Sequence, residues 1–234
     1  MIARSEVLGA LAGVRDPELD QPLTELDFIS SVDIDGDVVE VHLRLPTYFC
    51  AQNFAFLMAS DAKAAIASIP AVREARVLLD EHIASDEINT GVAYDRSFQQ
   101  AFAGDETDGG LDELRERFRH KGFLSRQEKL CAELLRNGHT HASLVDVRLG
   151  DLANLATSPD VEAYLDRRAE LGIDVGPDAV LLVDPHGTPI PAESVDDHLL
   201  MARMVRLSIE GNAGLCQALL DARYGLGSRE EATL

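Results

Sequence analysis

Tryptophan is absent from this 234-residue chain, only 5% of its residues are aromatic, and cysteine occurs three times, at Cys50, Cys131 and Cys216. Three is an odd number, the three are far apart, and none forms a Cys-x-x-Cys pair. This argues against a disulfide framework and against a four-cysteine cluster held by one chain. Basic residues are scarce: 21 Lys and Arg face 41 Asp and Glu, a formal net charge of −20. Such a balance disfavours broad contact with a phosphate backbone or an anionic membrane, leaving proteins, cations or small molecules as partners. No run approaches the roughly 18 apolar residues that span a bilayer, and the opening Met1-Ile2-Ala3-Arg4-Ser5-Glu6 lacks the pattern of a secretory signal. A cytoplasmic protein without nucleic-acid or membrane partners is expected.

What is present divides in two, and 46% hydrophobic residues suffice for a core in each part. Ser5 can cap a first helix that carries Val7, Leu8, Leu11 and Val14 on one face. Asp16-Pro17-Glu18 follows, with Asp16 as a cap and Pro17 at the first position of a short turn. From Leu26 to Leu45 the period becomes two, with Asp35-Gly36 as the turn of an antiparallel hairpin. After Cys50 the helical period returns in Phe54, Leu57, Met58, Ala62, Ala65, Ile66 and Ile69, and Pro70 ends it. A third strand spans Val72 to Asp80. Helix, hairpin, helix and strand predict a small α+β sandwich over residues 1–82.

The chemistry concentrates at Thr47-Tyr48-Phe49-Cys50, a loop between a strand and a helix. A thiol at the mouth of a helix faces unpaired N–H groups and the positive end of the dipole, which favour the thiolate, the form that binds metal or attacks. One cysteine with a few carboxylates falls short of the four donors of a closed site, so complete ligation calls for a second subunit or a client.

Asp16-Pro17-Glu18 after an opening helix, the Asp35-Gly36 hairpin, a lone Cys50 between Thr47 and a helix, and the step Ile69-Pro70-Ala71-Val72 resemble the PaaD/SufT-like iron–sulfur cluster assembly family. The resemblance covers residues 4 to about 80. It departs from the family pattern where Phe49 and Ala51 flank the cysteine in place of glycine and proline, and where Leu26-Asp27 stands for Leu-Gly. The resemblance implies a metal-handling role for Cys50, with Asp16 and Glu18 nearby, and a transient iron or iron–sulfur cluster as the group handled. It also implies an accessory factor rather than an enzyme, acting on a client metalloprotein such as a multicomponent non-haem iron monooxygenase, and a homodimer is expected. The alternatives are a thiol-dependent enzyme using Cys50 with His42 or His82 as base, and a scaffold without metal chemistry.

Beyond residue 82, His82 and Asp86 form an i, i+4 pair if that segment is helical. Residues 83–110 are expected to hold a helix and the acidic linker Gly104 to Gly110. Residues 111–234 predict a mainly helical domain. Ser125-Arg126-Gln127-Glu128 suggests a helix start, Cys131 suits a core position, and His139 and His141 are a weak metal pair. Ala179 to Asp184 suggests a strand of a short hairpin, and Gly211-Asn212 a break between the last two helices. This half carries no phosphate-binding glycine loop, Gly-x-Ser-x-Gly or His-Glu-x-x-His.

Overall fold

The computed structural model describes residues 1–102, 111–155 and 159–226. The linker expected at Gly104 to Gly110 lies outside the described residues, as does Ser158. The chain forms two compact units, one of residues 1–115 with 212–234 and one of residues 116–211. Together they give the expected α+β class, a small sheet with helices followed by mainly helical sequence. No described helix is long and apolar enough to cross a membrane.

The first unit opens with α1 (Arg4–Leu11), which buries Val7 and Leu11. Its N-cap is Ala3 without a side-chain cap, so Ser5 lies inside the helix instead of starting it. Strands β1 (Ile29–Asp35) and β2 (Val38–Leu43) pair antiparallel, and Gly36 takes φ +62° at the turn, the left-handed conformation that glycine adopts without strain. The strand starts at Ile29, later than the period of two suggests, because Leu26 and Phe28 are buried in the turn before it. A register shift between Ile29 and Ser31 then restores the alternation.

Helix α2 (Gln52–Ala67) buries Ala55, Phe56, Met58, Ala59, Ala62 and Ile66. It connects β2 to β3 (Glu74–Leu79), which lies parallel to β2, in the sheet order β1-β2-β3. A parallel neighbour requires a crossover, and α2 supplies it. Each fully buried Leu, Ile or Val here contributes about 1.5–3 kcal/mol. Helix α3 (Ser85–Ala93) and the short α4 (Phe98–Ala101) complete the chain up to residue 102, with Ser97 and Gln100 forming a capping box.

Gly91 is where α3 approaches its neighbours most closely. A Cβ there would stand 2.7 Å from the Ala101 Cβ and 2.8 Å from the Phe56 ring. Gly91→Ala is therefore expected to destabilise by about 1–3 kcal/mol through overpacking, despite the better helix propensity of alanine. A lowered urea midpoint would show it, and an unchanged or raised one would contradict it.

In the second unit the expected helix start at Ser125 is absent. Residues 125–128 lie inside α5 (Leu111–Arg136), where Ser125, Gln127 and Glu128 are buried. Gly122, three residues before the capping-box pattern, is buried inside α5 and does not interrupt it, so the pattern marks no terminus. After α6 (His141–Leu144) and α7 (Pro159–Glu170), residues 179–184 form no strand. They make only isolated bridges, Arg148 to Val180 and Val183 to Pro189. The Ala179 and Leu182 carbonyls accept from the backbone N–H groups of Leu149 and Ile190, while those of Val180, Leu181 and Val183 are satisfied by buried side chains. Gln127 Nε2 donates to Leu181 O and Val183 O (3.2 and 3.0 Å), Tyr164 Oη to Leu181 O (2.7 Å), and Arg168 to Val180 O (2.9 Å). Burial pushes the Tyr164 hydroxyl up to about 12, so it stays a donor.

The last helix, α8 (Val195–Tyr224), runs unbroken through Gly211-Asn212. A glycine within a helix costs only about 1 kcal/mol, which the packing of a 30-residue helix outweighs. Its residues from 212 onward belong to the first unit.

Candidate functional site

Cys50 immediately precedes Ala51, the N-cap of α2, so the strand–loop–helix placement expected of it is present. The first turn of α2 has no acidic residue and its N-cap makes no side-chain bond, so nothing from the helix's own side chains offsets the positive end of its dipole. The thiol is half-buried against the first core and lies 3.4 Å from Thr47 Oγ1. Phe49 turns outward at 73% exposure and stacks edge-on against the exposed Tyr48, their centroids 5.1 Å apart. The Phe49 ring therefore lies at the surface of the loop, while the Cys50 residue is half-buried.

His82 fixes the loop from behind. Its Nδ1 accepts from the Ala84 N–H at 3.1 Å, which makes Nε2 the protonated nitrogen, and that nitrogen donates to the Cys50 carbonyl at 2.7 Å. Glu81, with φ +47°, precedes it in a left-handed conformation. The ring is 3% exposed and both nitrogens are occupied. It is thus a buried positioning residue. It precedes α3, so the i, i+4 arrangement with Asp86 does not form. His42 is likewise engaged, with Asp80 at 2.8 Å and Glu40 at 3.3 Å, and the Asp80 hydrogen bond holds its imidazolium above the usual range. Neither histidine nitrogen set is directed to the Cys50 thiol.

Asp16 and Glu18 sit on the neighbouring turn. Asp16 Oδ1 accepts from the N–H groups of Glu18 (2.9 Å) and Leu19 (2.8 Å), the capping role expected of it. The carboxyl is buried, and desolvation, outweighing those two hydrogen bonds, raises it to about 6. Glu18 Oε1 accepts from Asn212 Nδ2 at 3.2 Å.

Sequence reasoning missed Cys216. It packs against the same core as Cys50, and its thiol is raised to about 11, mainly by burial and further by the charges of Asp16, Cys50 and Glu18. Thus Cys50, Cys216, Asp16 and Glu18 share one electrostatic neighbourhood. No local pattern signals it, because Cys216 reads as one more apolar position among Leu215, Leu219 and Leu220. Cys131 is buried in the second core and raised to about 12, as suits a structural residue. His139 lies 3.5 Å from Ser143 Oγ, and His141 pairs with Asp196, so those two histidines have partners of their own. Among the described residues, no three His, Cys, Asp or Glu side chains stand close enough to hold a metal ion.

Residues 4–79, the N-terminal third of the chain, match the model of the iron–sulfur cluster assembly protein family. An uncharacterized protein of Methanocaldococcus jannaschii is 29% identical over 90 residues, which cover 38% of this chain and 93% of that protein. No solved structure matches. The departure from Leu-Gly at Leu26-Asp27 now has a physical account: Asp27 takes φ +57°, a conformation that glycine favours and aspartate tolerates.

Proposed function

We propose that this protein is an assembly factor that carries iron, or an iron–sulfur precursor, as cargo on the Cys50 loop and presents it to a client metalloprotein. The observation that carries the reading is a half-exposed thiol on a loop held in place by His82, within the domain matched by the iron–sulfur cluster assembly family. The incomplete donor set among the described residues agrees with cargo that is passed on, since the open coordination positions are then filled by the receiving protein. The exposed Tyr48, Phe49 and Ile83 beside the thiol offer an apolar surface to a protein client. A multicomponent non-haem iron monooxygenase is the client we favour. A homodimer and a cytoplasmic location are parts of the same reading.

The test is the iron and acid-labile sulfide content of protein purified without oxygen, with Cys50→Ala beside it. Wild type is expected to hold or accept iron and the variant to fall to background. Equal emptiness of both after attempted reconstitution would overturn the cargo role and favour a scaffold.

A further inference from the structure

We propose that Cys216 is a second ligand of the cargo, so that Cys50 and Cys216 form a two-thiol cradle whose far wall is the end of α8. This rests on the cargo reading above and adds to it a residue that lies beyond the matched domain. In a helix, residues 212, 216, 220 and 223 share one face. Asn212 is bonded to Glu18, and Leu220 is fully buried in the first core. Arg223 donates to Leu45 O at 3.2 Å and to Glu81 O at 2.8 Å. One end of this face is therefore fixed to the Asp16-Pro17-Glu18 turn. The other end is fixed to the segments that lead into the Cys50 loop and into His82. The span from Asn212 to Arg223 is about 16 Å at 1.5 Å per residue, and Cys216 stands within it, facing inward.

Two thiols select a soft, thiophilic cation, either free iron(II) or an iron of a cluster, over magnesium or calcium. Binding a divalent ion forms two metal–sulfur bonds and releases the two thiol protons, without oxidation or reduction. The two remaining positions stay open for the client. Asp16 and Glu18 add negative charge around the site without having to coordinate.

The full-length protein, reduced and free of oxygen, is titrated with cadmium ion, whose sulfur-to-metal absorption counts thiolates per bound ion. Wild type should show two. Cys50→Ser and Cys216→Ser should each halve the band and weaken binding by about tenfold or more. Cys216→Ala, run in parallel with circular dichroism on all variants, separates a lost ligand from a lost fold. If both folded Cys216 variants keep the full band and affinity while Cys50→Ser loses them, the cradle is wrong and the cargo reading stands. If wild type itself gives no band, both fall.

Discussion

Replacement of Asp16 by asparagine is expected to stabilise the protein by about 2–3 kcal/mol at pH 7 and to leave its stability below about pH 4 unchanged. The carboxyl is raised from 3.8 to about 6 in the folded chain because burial penalises its charged form. Between those values the native state keeps a proton that the unfolded state has released. Stability therefore falls as pH rises through this window, and above it the full penalty is in place. Asparagine keeps the oxygen that accepts from Glu18 and Leu19 and cannot ionise, so the penalty vanishes with the charge. Urea midpoints of wild type and variant between pH 4 and pH 7 should start together and separate by pH 6. A difference that does not change with pH would contradict the assignment. The same variant separates capping from function. If the buried charge helps to hold a cation beside Cys50 and Cys216, Asp16→Asn is more stable yet loads less iron. If Asp16 is only a turn cap, it is more stable and loads the same.

The elements around the loop were legible because each is written in a local period. The hairpin, the apolar stripe of α2 and the position of Cys50 before that helix all follow from spacing within some twenty residues. Signals that depend on context were misleading. A capping-box pattern at Ser125 lies inside α5, and Gly211-Asn212 lies inside α8, because long helices gain enough packing to override a single unfavourable residue. The apolar run at Ala179 to Val183 looks like a strand, but the carbonyls of Val180, Leu181 and Val183 are taken by Gln127, Tyr164 and Arg168, a network no local pattern encodes. The return of residues 212–226 to the first unit is of the same kind. It depends on where a 30-residue helix ends, and with it goes the signal that Cys216 packs against the same core as Cys50.

Replacement of His82 by phenylalanine is expected to destabilise the protein by about 3 kcal/mol, since two groups lose their partner in a poorly solvated place. These are the Cys50 carbonyl, 2.7 Å from Nε2, and the Ala84 N–H, 3.1 Å from Nδ1. The aromatic ring is kept but phenylalanine is the larger side chain, so the loss combines missing hydrogen bonds with some overpacking. The variant also decides what kind of residue His82 is. A positioning residue restrains the loop, and its removal should let Cys50 react faster with iodoacetamide, measured on the Cys50 peptide by mass spectrometry. Cys131 and Cys216, both raised well above the ordinary thiol range, should react slowly by comparison. A general base would have the opposite signature, because losing it would leave the thiol protonated and slow the alkylation. Faster reaction with reduced stability supports a thiol held ready for cargo, whereas slower reaction would revive a thiol-dependent enzyme. The geometry favours the first outcome, because the one nitrogen of His82 that carries a proton is already given to a carbonyl and the other already accepts one.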